Sequence, residues 1–489
     1  MIGACTKEST TDSRHNPEGI STVSNDLNGS TNFSNQGNSS YQGESYTDEA
    51  ENGFISTIDE SISTFSIDAD GASYANVRRF IVNGELPPQG AVRSEELINY
   101  FEMDYEHPSG NEALKINAEV ATCAWNNDNY LLRIGVRGKD IPSVALPKSN
   151  FVFLIDVSGS MGRPEKIDLL KESFIKFVKF LPKHDRIAIV TYSGSSDVVL
   201  PSTLVSRERN IIEAIESLHT GGGTNGAEGI ITAYKIAEEN FIHGGNNRLI
   251  VATDGDFNIG VSSIDGLVEL IEEKRETGVY LSVLGFGTGN LRDGLMESVS
   301  NNGNGTYEYI DNTDQGMKVF IEEYKKFYAA AKDVKMQIKF NPNTVDQYRL
   351  IGYENRLLET EDFEDDAKDA GELGINQTIT ALYEIKPNYA GSVTEGFGVI
   401  DYRYKLPDAA TSQAYTLNIP NNVHAFRNSS ENMRFTSAVA GFGMLLWESD
   451  YREDITFDDV YEWAANASSY DPGGWRSEFL DLIEKAKSF

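Results

Sequence analysis

Short apolar runs alternate with helix-period segments through the middle of the chain. Runs without polar interruption are typical of strands that are buried on both faces of a parallel sheet. The strands are predicted at residues 150–155, 186–192, 248–253, 279–286 and 306–310. The helices are predicted at 166–181, 207–218, 227–240, 264–277 and 291–299, and a further helix after the last strand is predicted to end at about 332. This alternation predicts an α/β domain with an open, doubly wound parallel sheet.

Apolar and polar residues alternate with strand period on both sides of this domain, at residues 114–136 and at about 334–406. The first segment offers two or three strands, and an isolated hairpin is only marginally stable in water. We therefore expect both segments to pair into one β-rich domain, into which the α/β domain is inserted. The predicted organisation is an N-terminal flanking region of helices and then strands at 53–148, the α/β domain at 149–330, the β-rich domain at 331–420 and a helical region at 421–489.

The first 52 residues are rich in Ser, Thr, Asn, Gly, Asp and Glu, with few large apolar side chains. Such a segment cannot offset its ordering entropy by burial, which predicts a disordered tether over residues 1–52. Its start, Ile2-Gly3-Ala4-Cys5, resembles the lipobox of bacterial lipoproteins, in which the cysteine becomes lipidated. The charged and apolar parts of a signal peptide are not found ahead of Cys5, which suggests either a start codon placed too late or a shortened chain.

The formal net charge is -33, so the field around the molecule repels phosphate backbones, and nucleic acid is not expected as a partner. The two cysteines, Cys5 and Cys123, are not expected to form a disulfide or a zinc cluster. No apolar run approaches the roughly 18 residues of a membrane helix. We therefore expect membrane contact through a lipid anchor only, on either face of the bacterial outer membrane.

Three predicted loops at the carboxyl ends of strands carry oxygen ligands, and ligands bind at these ends in open α/β sheets. The first loop holds Asp156, Ser158 and Ser160, a glycine loop holds Thr224, and another strand runs into Asp254. Carboxylates and hydroxyls without nitrogen or sulfur are the ligand set of a hard cation, which predicts Mg²⁺, with Mn²⁺ or Ca²⁺ as alternatives.

The pattern Asp156-x-Ser158-x-Ser160, together with Thr224 and Thr253-Asp254-Gly255, resembles the metal-ion-dependent adhesion site of von Willebrand factor A domains. The resemblance implies a Rossmann-like fold and an ion contacted, directly or through water, by these side chains. It also implies that an Asp or Glu of another protein completes the metal shell. Segments over residues 58–485 resemble a bacterial lipoprotein subfamily with flanking N- and C-terminal regions, which implies the binding device but not the partner.

The same motifs also allow other interpretations. A lone Asp-x-Ser-x-Ser could cap a helix and satisfy loop amides, but the matching strand ends favour a metal site. Asp68-Ala69-Asp70 resembles the start of aspartate-nucleophile phosphatases, yet Ala72 replaces the expected hydroxyl residue, so we expect a turn and a helix N-cap at residues 70–73. The sequence favours a binding module over an enzyme, with a metal-assisted hydrolase or a structural platform with an unoccupied metal site as alternatives.

Overall fold

The computed structural model describes residues 38–41, 43–67, 70–223, 226–255, 264–389 and 395–489. The strands are β1 (Asn38–Tyr41), β2 (Glu44–Thr47), β3 (Ile55–Ser56), β4 (Ile62–Ser66), β5 (Leu114–Thr122), β6 (Tyr130–Gly138), β7 (Ser149–Asp156), β8 (Arg186–Tyr192), β9 (Ser196–Leu204), β10 (Asn246–Thr253), β11 (Tyr280–Phe286), β12 (Tyr307–Ile310), β13 (Ala329–Phe340), β14 (Val345–Ile351), β15 (Gly371–Gly374), β16 (Thr378–Pro387), β17 (Gly398–Lys405), β18 (Gln413–Asn418) and β19 (Val423–His424). The α-helices are α1 (Ala72–Val82), α2 (Ser94–Asn99), α3 (Leu169–Phe180), α4 (Glu208–Glu216), α5 (Gly226–Glu239), α6 (Ile264–Arg275), α7 (Asp293–Asn302), α8 (Thr313–Met317), α9 (Glu431–Trp447), α10 (Phe457–Ala465) and α11 (Trp475–Ala486).

The predicted α/β domain is present, and its sheet has the strand order β12-β11-β10-β7-β8-β9. The pairs from β12 to β8 are parallel, whereas the edge strand β9 pairs antiparallel with β8. Apolar residues of α3 and α4 pack on one face, including Phe174 and Ile211, and residues of α5 and α6 pack on the other, including Ile230 and Leu267. Both faces are therefore covered, which confirms the doubly wound class and explains why every residue of β7 is buried.

The end of this domain differs from the prediction. A helix was expected to continue to about residue 332, but β13 already begins at Ala329. Alanine favours helices in isolation. Here the segment is antiparallel to β15 and β17, so ladder hydrogen bonds outweigh the local preference. A β-bulge interrupts both pairings near Asp333, whose φ is 50°.

The two β-period segments that flank the α/β domain pair directly. β6 lies antiparallel to β16 from Tyr130↔Ile385 to Arg137↔Thr378. The resulting sheet has the order β19-β5-β6-β16-β14-β3, and a second sheet has the order β15-β13-β17-β18, with β4 also paired to β13. Their facing side chains share one apolar core, including Val136, Met336 and Tyr383. Along the chain, the α/β domain is thus inserted between β6 and β13, two strands of one β sandwich.

The C-terminal helices pack on the N-terminal flanking region. α9, α10 and α11 share an apolar core with α1 and α2 that includes Tyr74, Leu97, Phe435 and Phe479. Among the described helices, none is both long and apolar enough to cross a membrane.

The tether prediction is wrong for residues 38–52. β1 and β2 form an antiparallel hairpin, and Glu44 and Tyr46 on β2 are buried. Arg79 forms an ion pair with Glu44, and Asn52 donates to the carbonyl oxygens of Leu350 and Gly352. This segment is fixed by polar contacts to distant residues, which supply the stabilisation that its own few apolar side chains do not.

Candidate metal centre

The Asp-x-Ser-x-Ser motif lies at the carboxyl end of the central strand β7. Asp156 is the last residue of that strand and is fully buried. Its Oδ1 accepts from the backbone N–H of Ser158 at 2.8 Å, and its Oδ2 accepts from the Thr253 hydroxyl at 3.3 Å. Because Thr253 ends the neighbouring strand β10, these contacts bring the ends of the two strands together at one carboxylate.

The two motif serines lie side by side beyond Asp156. Ser158 Oγ and Ser160 Oγ are 2.9 Å apart; Ser158 is 2% exposed, whereas Ser160 is exposed to solvent. The glycine loop lies against them, because Gly221 N–H donates to Val157 O at 2.8 Å and Gly159 N–H donates to Gly222 O at 3.4 Å. Thr224 follows this loop and lies outside the described residues.

Asp254 follows β10 directly and is fully buried. Its Oδ2 accepts from the ammonium group of Lys166 at 2.9 Å, and the same ammonium donates to Asn290 Oδ1 at 3.0 Å. Lys166 lies in a π-helical turn, Pro164–Asp168, that leads from the serine loop into α3. Such turns are frequent at functional sites. One of the two carboxylates is therefore paired with a cation of the chain itself.

Burial controls the charge of this centre. It raises the pKa of Asp156 to about 6; the hydrogen bonds from Ser158 and Thr253 oppose the rise, and the negative charge of Asp254 adds to it. Two carboxylates in a buried setting repel each other, and a cation between them would relieve that repulsion.

The donor set fits a hard divalent cation. It consists of two carboxylates and two adjacent serine hydroxyls, and such oxygen ligands are those that Mg²⁺, Mn²⁺ and Ca²⁺ take. Within the described residues, no cluster of three or more His, Cys, Asp and Glu side chains is arranged to hold a metal. Hydroxyls and water would therefore have to complete the coordination shell of the ion beside the two carboxylates.

Four of the side chains described at this centre were predicted from the sequence, whereas Lys166 was not; the four are Asp156, Ser158, Ser160 and Asp254. A lysine at the start of a helix has the pattern of a surface residue, so only its place ten residues after Asp156 could have drawn attention to it. Cys5, the predicted lipidation site, lies outside the described residues.

The helix N-cap predicted at residues 70–73 is confirmed, with Gly71 at the N-cap of α1. Asp70 has a further structural role, because its Oδ1 accepts from the backbone N–H of Tyr307 at 2.6 Å, on the edge strand β12. Asp68 and Ala69 lie outside the described residues.

Comparisons with known proteins identify a von Willebrand factor type A domain in this chain. The model of the von Willebrand factor type A domain matches residues 150–322. A model described as von Willebrand factor matches residues 40–133, and one described as the C-terminal part of the uncharacterized protein YfbK matches residues 325–489. A solved structure, von Willebrand factor type A from Catenulispora acidiphila, is 14% identical and covers 78% of this chain and 91% of that chain, with a TM-score of 0.47.

Full-length relatives extend the match. Inter-alpha-trypsin inhibitor heavy chain H3 of Homo sapiens is 28% identical over 191 residues, which are 36% of this chain and 21% of that protein. The uncharacterized protein YfbK of Escherichia coli (strain K12) is 40% identical over 450 residues, which are 87% of this chain and 78% of that protein. The chain therefore belongs to the YfbK family of proteins, which carry a von Willebrand factor type A domain.

Proposed function

We propose that this chain is a metal-dependent protein-binding module of the bacterial envelope. It binds an acidic side chain of another protein through a divalent cation held by Asp156, Ser158, Ser160, Thr224 and Asp254. The observation that carries the proposal is the meeting of two buried carboxylates and two paired serine hydroxyls at neighbouring strand ends. The von Willebrand factor type A match over residues 150–322 supports it.

A binding role is favoured over catalysis. Both oxygens of Asp156 accept hydrogen bonds from the chain, and Asp254 Oδ2 is paired with Lys166, so neither carboxylate has the arrangement of a general base. A bound Mg²⁺, Mn²⁺ or Ca²⁺ would supply a positive, Lewis-acidic centre that a partner carboxylate can bind. The serine hydroxyls add no negative charge to that of the two carboxylates, so the cation keeps an affinity for a further anionic ligand.

Isothermal titration calorimetry with Mn²⁺ tests the site. We expect the wild type to bind about one ion per chain. Asp156→Asn and Asp254→Ala should each weaken binding at least tenfold, about 1.4 kcal/mol, because each removes a negative charge from the centre. Asp185→Asn is the matched control, since Asp185 is also fully buried but precedes β8, at the amino end of the parallel strands and thus opposite the candidate metal centre. Equal Mn²⁺ binding by the wild type and the two site variants would refute the proposal.

We further propose that Cys5 is lipidated and attaches the protein to the bacterial outer membrane. The resemblance of Ile2-Gly3-Ala4-Cys5 to a lipobox supports this attachment. Several acyl chains, at roughly 0.8 kcal/mol per buried CH₂, anchor a protein stably on a bilayer. Fractionation of the native protein should recover it with the membranes, and Cys5→Ser should release it. Recovery of the wild type in the soluble fraction with an unmodified Cys5 would contradict the attachment.

A further inference from the structure

Lys166 is a buried cation in direct contact with a candidate metal ligand. Its side chain is 3% exposed, and its ammonium group donates to Asp254 Oδ2 at 2.9 Å and to Asn290 Oδ1 at 3.0 Å. Removing an ammonium group from water costs several kcal/mol, so a buried lysine persists only where the chain gives it specific partners. A buried positive charge next to a site that is proposed to bind a divalent cation calls for a physical explanation.

The surrounding loop is shaped to hold this lysine. Gly287 has a φ of 74°, and a Cβ at that position would overlap the aliphatic stem of Lys166. Gly255, with a φ of 102°, follows Asp254, and a Cβ there would lie 2.7 Å from Asn290 O. Two glycines thus let the loop after β11 close over the ion pair. Lys166 is held in place by the fold and is not a surface side chain that has folded inward.

The charges at the centre show what Lys166 does. Asp156 and Asp254 supply two negative charges when ionised, and the ammonium of Lys166 offsets one of them through its contact with Asp254. A fixed positive charge beside a cation site repels the cation, and the repulsion is strong where water is excluded. The same positive charge favours any anion that binds at the site. The two effects have opposite signs, so a single residue can shift both affinities in opposite directions.

We propose that Lys166 is a positioning residue that weakens the binding of the divalent cation while strengthening the binding of the partner carboxylate. It does so by pairing with Asp254, which limits the negative charge that Asp254 offers to the cation. The inference rests on the proposed function of the centre and adds how that centre is balanced. A site with a lower metal affinity and a higher net positive charge favours a complex of protein, cation and acidic partner over the protein with its cation alone.

The test compares the wild type with Lys166→Met, using Mn²⁺ alone as the first probe in isothermal titration calorimetry. We expect Lys166→Met to bind Mn²⁺ at least tenfold more tightly, because the repulsion is removed and Asp254 is released. Lys166→Gln removes the charge but keeps a hydrogen-bond donor for Asp254, and it serves if the methionine variant does not fold by circular dichroism. Lys176→Met is the matched control, because Lys176 lies on α3 and pairs with Glu172 at the surface.

Acetate is the second probe and stands in for a partner carboxylate. It is titrated into each Mn²⁺-loaded protein, and its binding is followed by the relaxation rate of water protons, which changes when a ligand displaces metal-bound water. We expect acetate to bind the Lys166 variants at least threefold more weakly than the wild type and the Lys176 control. This readout separates the proposed balance from a general change in stability, which would not alter the two affinities in opposite directions.

The outcomes distinguish this inference from the proposed function. Tighter Mn²⁺ binding with weaker acetate binding in the Lys166 variants supports it. If the wild type binds one Mn²⁺ and the variants bind it equally or more weakly, the role of Lys166 is refuted and the metal site stands. If only the variants bind Mn²⁺, Lys166 opposes the cation as proposed, but the wild type is not metal-dependent. If neither wild type nor variants bind Mn²⁺, both proposals are overturned.

Discussion

Glu95 is a buried acid in a region of the molecule away from the candidate metal centre. It lies on the short helix α2, is 4% exposed and faces Glu354, while the adjacent Glu96 pairs with Arg93. Burial and the negative charge of Glu354 raise the pKa of Glu95 to about 8. A carboxyl group that keeps its proton in the folded state, and loses it in the unfolded state, links stability to pH.

The direction of this linkage is testable. Between about pH 4.5 and pH 8 the folded protein holds a proton at Glu95 that the unfolded chain has lost, so the free energy of unfolding decreases as pH rises through this window. Glu95→Gln removes the Glu95 share of that dependence and should stabilise the protein by about 4 kcal/mol at pH 8, against about 1 kcal/mol at pH 5. Urea unfolding at both values measures it, with the exposed Glu106→Gln as control. An equal effect of Glu95→Gln at the two pH values would contradict the prediction.

The candidate metal ligands could be predicted from the sequence, whereas the buried cation Lys166 that pairs with one of them could not. Asp156, Ser158 and Asp254 follow apolar runs directly, so their place at strand ends is encoded locally. The burial of Lys166 depends on Asn290 and Gly287, more than a hundred residues later in the chain. Local patterns do not contain such a contact, which forms only when the loops close on each other.

Secondary-structure elements could be predicted from the sequence where the burial of their own apolar residues determines their structure. β7 and β10 contain short continuous apolar runs that are buried on both faces, and the alternation of such runs with helix-period segments identified them as strands. The hairpin of β1 and β2 is different, because its segment is polar and was predicted to be disordered. Hydrogen bonds from Arg79 and from Gly289 N–H to Glu44 hold it. Burial raises the pKa of Glu44, but these bonds and the charge of Arg79 outweigh it, so the pKa is lowered.

The hairpin also lies next to the candidate metal centre. Ser45 N–H donates to Leu291 O at 2.8 Å, and Gly289 N–H donates to Glu44. The loop that receives these contacts also carries Asn290, the second partner of Lys166. The polar N-terminal segment is therefore connected through one loop to the residues that position Asp254. Composition could not predict this connection, because the contacts span about 245 residues of chain.

The flanking regions cover an exposed edge of the α/β domain. β12 is the edge strand of its sheet, and exposed edges readily pair with other chains. Here Asp70 accepts the N–H of Tyr307 on β12, and apolar residues of α1 share a core with Tyr307 and Tyr309. The insertion of the α/β domain between β6 and β13 was expected, because neither flanking β segment is stable alone. The covering of β12 by Asp70 and α1 was not expected, because it depends on how the N-terminal flanking region packs against the α/β domain.

The contact of β12 with Asp70 and α1 predicts that the α/β domain and its flanking regions unfold together. All four tryptophans, Trp125, Trp447, Trp463 and Trp475, lie outside the α/β domain, so their fluorescence reports on the flanking regions, whereas far-ultraviolet circular dichroism reports on both parts. In urea, the two signals of the wild type should change at the same midpoint. Asp70→Ala leaves the Tyr307 N–H without its acceptor, and we expect it to lower the free energy of unfolding by about 1–3 kcal/mol in both signals.

Asp70→Asn is the matched variant for this test, because its side-chain oxygen can still accept from Tyr307 N–H while the negative charge is lost. It should therefore retain most of the wild-type stability. If Asp70→Ala shifted the circular dichroism midpoint and left the fluorescence midpoint unchanged, the α/β domain would unfold independently of its flanks. The contact would then stabilise one domain only. A common shift of both midpoints, smaller in Asp70→Asn than in Asp70→Ala, would establish that the inserted domain and the β sandwich are stabilised as one cooperative body through this edge.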